Sequence, residues 1–435
     1  MNVRLLSGVL LMIGSLCAAP KGEITFHKDV VPVLQRNCQG CHRPGEPAPM
    51  SFLTYAETRP WAKAIKQAAT TRKMPPWFAD PNVGHFKNNR SMPESDIALL
   101  AAWADSGAAE GDPKDAPEPM KFAEGWAIGK PDHVIEMPAA FEVPKDGKVD
   151  YQYVIVPSGI TEDKWVKAVE SRPGNRALTH HIIAFVRQPG SKWLSSMKPG
   201  QIFTMNDVPK EERDGMRTAE WFSAFAPGTP PEVMGDGQAK LIKAGSDVVL
   251  QLHYTTNGTA GSDKSKVGFV FANYEPKERV MTIPASTSKF TIPAGSDNYP
   301  VNFDLTFQGN GRLLTIFPHM HARGKAMTVR LKQPDADSLD LLKMRWDFNW
   351  QLGYELMDPI AVKQGTKIEA TALYDNSANN PFNPDPMKAV GWGEQTWDEM
   401  AMAILNIAFD AKMDPAELLR PPKKPAAAAS AAGVE

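Results

Sequence analysis

The local pattern of the chain changes at about residue 131, and this change limits the folds open to it. From there onward, short runs of β-branched, aromatic or alternating residues are separated by clusters of Gly, Pro, Asn and Asp. No long helical pattern alternates with these runs, which argues against a parallel α/β sheet. Many short strands of this kind favour two-layer β-sandwiches. The clearest predicted strands are 149–156, 181–186, 246–254, 312–321, 326–332 and 367–374.

Residues 22–112 carry a different pattern, that of a small helical domain. A first helix is predicted at 29–37. A second is predicted after Ser91, because Ser91 and Glu94 have the spacing of a capping box with a proline inside the first turn. Apolar residues follow at helical spacing until Gly107, which can end the helix.

A chain of 435 residues is too long for one ordinary core, so two or three folded domains are expected. The predicted fold class is multidomain, with a small all-α domain followed by two all-β sandwiches. The predicted boundaries are a signal peptide at 1–19, the helical domain at 22–112, a linker at 113–130, sandwiches at 131–286 and 287–415, and a disordered tail at 416–435.

The N-terminus has the pattern of a secretory signal peptide. A short basic start is followed by apolar residues from Leu5 to Leu16 and then by small residues. This run is too short to span a bilayer, and no later run reaches about 18 apolar residues, so no transmembrane segment is expected. The chain is therefore predicted to be periplasmic or secreted. The bulky Leu16 beside Cys17 argues against lipoprotein anchoring at that cysteine.

The charge balance narrows the choice of partners. The formal net charge is -2 and the sequence pI is about 6.5. These values give no reason to expect nucleic acid or an acidic membrane surface as a partner.

Cys38 and Cys41 are separated by two residues and followed directly by His42. This is the attachment signature of a covalent c-type haem, in which two thioethers hold the porphyrin and the imidazole ligates the iron. A redox dithiol and half of a zinc site are the alternatives. A zinc site would need a second Cys/His pair nearby, and a redox dithiol would be expected in a βαβ context.

The second axial ligand of such a haem is expected to be a methionine. Met74 is favoured, because two prolines follow it and a stiff extended loop can hold a thioether against iron. Met50, Met92 and His85 are the other candidates. The region 24–112 resembles the short class I cytochrome c domains found fused to bacterial enzymes.

Five further histidines fall in three short motifs of the β-rich segment. His319 and His321 are two residues apart on a predicted strand, so both imidazoles can face one metal ion. His180 and His181 are adjacent, and can share an ion only at a bulge, at a strand end or through different ring nitrogens. His253 lies on an apolar strand, and alone it would more often be a core histidine.

Met400 indicates which metal the second site would bind. A thioether is a soft ligand, so two histidines with one methionine suit copper that cycles between Cu(I) and Cu(II), and do not suit zinc or magnesium.

The order of these motifs resembles the copper type II, ascorbate-dependent monooxygenases, the family of peptidylglycine α-hydroxylating monooxygenase and dopamine β-monooxygenase. The resemblance covers residues 131–415. The matching strings are Thr179-His180-His181, Leu250-Gln251-Leu252-His253-Tyr254, His319-Met320-His321-Ala322-Arg323-Gly324-Lys325 and Asp398-Glu399-Met400.

The resemblance implies two jelly-roll-like sandwiches, each holding one copper ion across an open cleft. It implies an electron-supplying copper and a second copper where O2 reacts, with ascorbate or another one-electron donor as reductant. Gln251 matches a family glutamine near the route proposed for electrons and is taken as catalytic. The implied ligands are His180, His181 and His253 for the first copper, and His319, His321 and Met400 for the second.

The chain departs from the family at the substrate site. Peptide-amidating members hold a carboxylate with an Arg, an Asn and a Tyr at positions that here are Phe317, Met402 and Ile404. A substrate that is not anchored by a carboxylate is therefore expected. The chain also has no cysteine after Cys41, whereas animal members carry several disulfides.

The predicted function is an exported copper- and haem-dependent monooxygenase that hydroxylates a C–H bond with O2. Electrons are expected to pass from a periplasmic donor through the fused haem to the three-His copper and then to the His/His/Met copper. The alternative is a non-catalytic periplasmic electron-transfer or copper-binding protein.

Overall fold

The computed structural model describes residues 23–46, 48–122, 125–213, 219–226 and 229–420. The predicted signal peptide lies outside the described residues, as does the predicted tail from 421 onward. The chain divides into two compact units. Of the described residues, the helical unit contains 23–43, 50–74 and 92–120, and the β unit contains those within 44–49, 75–91 and 121–420. Residues 75–91, expected in the helical domain, thus belong to the β unit.

The helical unit packs short helices around one apolar core. Phe26, Leu34, Leu100 and Trp103 are fully buried in that core. The helices are a π-helical turn at Phe26–Val30, α1 Val31–Asn37, α2 Tyr55–Thr58, a 3-10 turn at Arg59–Trp61, α3 Ala62–Thr70, α4 Glu94–Asp105 and a 3-10 turn at Pro113–Asp115.

The helix predicted after Ser91 exists, but the capping box predicted for it is wrong. Pro93 is the N-cap residue of α4 and makes no side-chain cap. The Ser91 backbone N–H donates to Asn89 Oδ1 instead. A capping box does form at Thr54 and Glu57, which start α2. Pro93 has extended backbone angles that a helix interior does not allow, so the helix starts after it.

The β unit is built mostly from strands, and each of the six predicted runs contains one. The run 149–156 becomes a strand only from Gln152, and the run 312–321 only as far as His319. Its strands are β1 His133–Glu136, β2 Phe141–Val143, β3 Gln152–Pro157, β4 Lys164–Arg172, β5 Thr179–Arg187, β6 Ile202–Phe203, β7 Glu220–Phe225, β8 Glu232–Val233, β9 Gln238–Ile242, β10 Asp247–Tyr254, β11 Gly261–Asp263, β12 Lys266–Phe271, β13 Glu278–Thr287, β14 Thr291–Ile292, β15 Tyr299–Thr306, β16 Gly311–His319, β17 Gly324–Lys332, β18 Leu339–Arg345, β19 Tyr354–Val362, β20 Lys367–Tyr374, β21 Val390–Gly391 and β22 Ala401–Asp410.

Few helical turns interrupt these strands. They are a 3-10 turn at Met205–Asp207, α5 Lys210–Arg213 and a 3-10 turn at Pro415–Leu418. The expectation of a mostly β chain with few helices is confirmed. None of the described helices is both long and apolar enough to cross a bilayer.

One large sheet runs through the β unit. Part of it has the order β1-β12-β4-β9-β13-β7-β5-β10-β3-β6, and β22, β16 and β19 continue from β13. A separate sheet has the order β15-β20-β17-β18. Strand β13 therefore pairs with β22 on one side and with β7 and β9 on the other. The predicted boundary near residue 286 falls at the end of this doubly paired strand.

Three apolar cores lie in the described part of the β unit, and the smallest of them surrounds Phe185 on β5 and Val249 on β10. The first contains Ile283, Leu313, Leu405 and Ile407 together with residues of the four-stranded sheet. The second contains side chains of β5, β10 and β12, among them Ile182. Because side chains alternate along a strand, residues between these positions point to the opposite face of the large sheet.

Leu405 tests the first core. It lies fully buried in β22, between β13 and β16. We expect Leu405→Ala to lower the free energy of unfolding by about 2–5 kcal/mol, because it leaves a cavity at a site that strands on both sides hold fixed. Leu339→Ala is the matched control, since Leu339 is half exposed on β18. Denaturant titration of both variants is the measurement, and equal losses would contradict this packing.

Candidate metal centres and the cavity between them

His180, His181 and His253 form a compact group in the β unit. Their candidate ligand atoms all lie within 4.8 Å of one another. His253 on β10 faces His181 on β5, and the register shifts between this pair and the next, Tyr254 with Thr179. His180 is the extra residue of that β-bulge. The bulge lets two adjacent histidines approach one point, which a regular strand does not allow.

The ring nitrogens of this group suit a metal ion. His180 Nε2 and His253 Nδ1 are buried and have no hydrogen-bond partner among the described residues. Burial, followed by the nearby His319, lowers the pKa of His180 to about 4. Burial, followed by the neighbouring imidazoles, also holds the pKa values of His181 and His253 well below the usual range. All three are therefore neutral near pH 7, the form that binds metals.

His319 and His321 form a second pair, with ring centroids 5.2 Å apart and planes nearly perpendicular. His319 Nδ1 lies 2.9 Å from Gln351 Oε1, and His321 Nδ1 lies 3.2 Å from the Asp398 carbonyl oxygen. These contacts fix both rings through Nδ1 and leave Nε2 for a ligand. His321 Nε2 is buried without a partner among the described residues.

Strand β16 ends at His319, so His321 lies beyond the strand. The alternation of side chains along a strand, which was used to predict the pair, therefore applies to His319 and not to His321. The Glu399 carboxylate holds the turn. It accepts the backbone N–H of His321 at 2.9 Å and that of Arg323 at 2.6 Å. Burial raises the pKa of Glu399 to about 8, and these two N–H groups oppose the rise.

Met400 follows Glu399 directly and is buried. Its carbonyl oxygen accepts a hydrogen bond of 2.6 Å from the Tyr374 hydroxyl. The Asp398-Glu399-Met400 string therefore has three separate contacts near the second pair. The Asp398 carbonyl contacts the His321 ring, and the Glu399 carboxylate accepts two backbone N–H groups. Met400, just before β22, is held through its carbonyl oxygen.

The two histidine groups face one cavity of about 540 Å3. His181 lines it from the first group and His319 from the second. The groups are also joined at the 395–400 loop, where Thr396 Oγ1 lies 3.3 Å from His253 Nε2. His180 further stacks on Phe348, with ring centroids 5.4 Å apart.

Gln251 lies on β10, two residues before His253 on the same face. Its Nε2 donates to the Tyr153 hydroxyl at 2.6 Å, and that hydroxyl lies 3.2 Å from a Glu394 carboxylate oxygen. Burial raises the pKa of Tyr153 well above its usual value, so the phenol stays protonated. Gln251 thus belongs to a buried hydrogen-bonded chain beside the three-His group.

In the helical unit, Cys38, Cys41 and His42 lie just after α1. The backbone N–H groups of Cys41 and His42 both donate to the Cys38 carbonyl. Neither thiol forms a disulfide within the described part of the chain, and burial raises the pKa of Cys38 to about 12, which disfavours the thiolate that a redox dithiol needs. His42 Nδ1 is buried without a hydrogen-bond partner among the described residues, and burial lowers the pKa of this imidazole.

Met74 is the predicted second axial ligand of the haem. Met74 follows α3, where its backbone N–H donates to the Ala68 carbonyl, and none of the described contacts joins it to His42. Met50 is one of the other candidates, and its backbone interacts with the His42 ring. Met92 is buried in the core of the unit. Met74 as the second axial ligand stays a prediction.

Several residues of the candidate centres were not found from the sequence. Gln351 and Thr396 come from loops with no metal-ligand pattern, and Tyr151 packs 4.6 Å from the His253 ring. Gly324 could have been identified from the sequence, because it belongs to the H-x-H-x-x-G-K string. A Cβ there would meet the Trp346 ring, whose Nε1 donates to the His321 carbonyl at 3.0 Å.

Comparisons with known proteins give little beyond this geometry. No family model matches the sequence, and no curated protein matches it. The chain is similar to solved structures of infectious bursal disease virus, Gx strain, at 11% identity over 67% of this chain and 75% of that chain, with a TM-score of 0.17. It is also similar to allantoicase, at 8% identity over 54% of this chain and 81% of that chain, with a TM-score of 0.14. Scores this low carry no conclusion.

Gln351 tests the second centre. We expect Gln351→Leu to weaken copper binding at the His319/His321 pair by about 10- to 100-fold, because His319 loses the contact that orients its ring. The three-His group should keep its affinity. Gln333→Leu is the control, since Gln333 lies outside both histidine groups and donates to the Ala361 carbonyl on β19. Competitive copper titration with a chelator is the measurement, and an unchanged affinity would show that the Gln351 contact is dispensable.

Proposed function

We propose that the chain is an exported copper- and haem-dependent monooxygenase that hydroxylates a C–H bond with O2. The helical unit acts as a class I cytochrome c domain, and the β unit as two jelly-roll-like sandwiches with one copper site each. Electrons enter from ascorbate or a periplasmic one-electron donor, and pass through the haem and the three-His site to the His/His/Met site. The chain acts in the periplasm or after secretion.

The observation that carries this proposal is the arrangement of the five histidines. They form two largely buried groups, and each group has an imidazole nitrogen without a partner among the described residues. One histidine of each group, His181 or His319, lines the same cavity. Structural core histidines would have their ring nitrogens satisfied. A single structural metal site would need no cavity next to it and no second group.

Bound copper would supply the one-electron steps that activate O2, and a c-type haem would relay electrons to it. The chain holds the ligand rings through Gln351 and the Asp398 carbonyl, and holds the turn through Glu399. The balanced reaction takes R–H, O2, two electrons and two protons to R–OH and water.

A substitution of Met400 distinguishes this proposal from a zinc-binding or purely structural role. We expect Met400→Ala to abolish oxygenation, because the soft ligand of the second copper is lost, while haem and the three-His copper are retained. Met281→Ala is the control, since Met281 only packs against the first core of the β unit. O2 uptake and metal content are the measurements. Turnover that survives in Met400→Ala would show that Met400 is not a ligand.

His42 tests the haem. We expect His42→Ala to prevent normal haem ligation and to slow turnover driven by a protein electron donor, because the iron loses its proximal imidazole. His27→Ala is the control, since His27 lies near Glu110 in the same unit and outside the haem motif. Absorption spectra of the reduced protein and O2 uptake are the measurements. If His42→Ala keeps the full rate of O2 uptake with ascorbate, electrons can reach the copper sites without the haem.

The alternative function is electron transfer or copper binding without catalysis. Protein fully loaded with haem and copper separates the two, because only the monooxygenase consumes O2 with formation of a hydroxylated product. If no compound in a broad screen stimulates O2 uptake by the fully loaded protein, the monooxygenase proposal fails.

A further inference from the structure

The cavity between the histidine groups has walls that select a class of substrate. Its volume of about 540 Å3 lies in the range of small-molecule sites. The inference drawn from it deepens the proposed function, since it concerns the substrate of the same site.

Three successive cross-strand pairs of β16 and β22, here called rungs, lie along this cavity, and all of their residues except Met402 line it. His319 pairs with Met402, Phe317 pairs with Ile404, and Thr315 pairs with Asn406. Because alternate residues share a face, these rungs lie in line on the cavity side. The order from the metal site is thus histidine, then an apolar rung, then a polar rung.

The spacing of these rungs gives the reach of a ligand. Four residues separate His319 from Thr315, which corresponds to about 13 Å along a strand. A molecule that reaches from the metal site to the polar rung must be elongated, and its middle must lie against Phe317 and Ile404. Trp221 and Ile183 line the same cavity from β7 and β5 and add apolar surface.

The polar rung presents a hydrogen-bond donor of fixed orientation. The buried Lys240 ammonium donates to Thr282 Oγ1 at 3.0 Å, and the Thr282 hydroxyl lies 2.7 Å from Asn406 Oδ1. An ammonium group only donates, so the Thr282 hydroxyl proton is directed to Asn406. The Asn406 oxygen is thereby the acceptor, and its Nδ2 has no hydrogen-bond partner among the described residues.

Among the described residues that line the cavity, no cation is free to hold an anionic group. Lys87 at its edge is paired with Glu355 at 3.2 Å. Arg312 donates to Glu278 at 2.9 Å. A carboxylate in the cavity would therefore lack the charged partner that such a buried group needs.

We propose that the cavity binds a neutral, elongated and mostly apolar molecule with one hydrogen-bond-accepting oxygen. Asn406 Nδ2 donates to that oxygen, Phe317 and Ile404 contact the apolar middle, and the C–H bond at the far end lies beside His319. Asn406 is a specificity-determining residue. The hydroxylated carbon is several bonds away from the oxygen that Asn406 holds.

Binding to the full-length chain, free of copper, tests this class apart from catalysis. The probes are 2-octanone, 2-methyl-1-octene, in which CH2 replaces the ketone oxygen, and octanoate. Headspace gas chromatography measures the two volatile probes, and equilibrium dialysis measures octanoate. We expect Asn406→Leu to weaken 2-octanone binding about 10-fold or more, and to leave 2-methyl-1-octene binding unchanged or tighter, because only the ketone loses a hydrogen bond.

Two variants complete the design. Asn406→Asp keeps the acceptor for Thr282 and removes the donor, so it should weaken ketone binding even if Asn406→Leu folds poorly. Asn302→Leu is the matched control, since Asn302 accepts from the Thr371 hydroxyl at 2.7 Å in the same kind of cross-strand pair, but away from the cavity. It should change neither probe.

Equal weakening of ketone and alkene by Asn406→Leu, or octanoate binding tighter than ketone binding, would overturn the assignment. In the copper-loaded, reduced protein, hydroxylation far from the carbonyl of 2-octanone supports it, and hydroxylation next to the carbonyl overturns it. Ketone binding that follows the predictions without any O2 uptake would support the substrate class while counting against the monooxygenase proposal.

Discussion

The pairing of β13 on both of its edges is the constraint on which the β unit depends. On one edge it pairs along its whole length with β22. On the other it makes only short backbone contacts, with β7 and β9. Buried polar contacts reinforce this weaker edge, where Arg279 bonds Glu220 at 2.8 Å and Lys240 bonds Thr282. Because removing one partner of a buried ion pair leaves an uncompensated charge, these contacts favour a single pairing.

This shared strand explains why the two histidine groups face one space. His181 lies on β5 and His319 on β16, and both strands belong to the sheet that β13 joins. The faces opposite the cavity carry the core residues Ile182 and Leu405. The same alternation that buries the cores therefore exposes the histidines to the cavity between them.

The sequence could predict the features that depend on neighbours along the chain. Strands such as 367–374 are locally encoded, because alternation and β-branched residues suffice. The bulge at His180 was among the alternatives that two adjacent histidines leave open. The position of His321 beyond the end of β16 could not be predicted, because it depends on the Glu399 carboxylate, 78 residues away. Gln351 likewise reaches His319 from a loop without any local signal.

Lys240 takes part both in the contacts that hold the β unit together and in the contacts that orient Asn406 at the cavity. Its ammonium contacts Glu232 at 2.6 Å, the Phe222 carbonyl at 2.8 Å and Thr282 at 3.0 Å, and so ties β7, β9 and β13 together. Through Thr282 it also fixes which end of the Asn406 amide faces the cavity. A change at Lys240 would therefore disturb folding and recognition at once, whereas a change at Asn406 alters the donor and leaves the three-strand contact in place. The same contacts that join these strands therefore hold the polar end of the cavity, which suits the proposed binding of an apolar molecule with one carbon at a fixed distance from a metal.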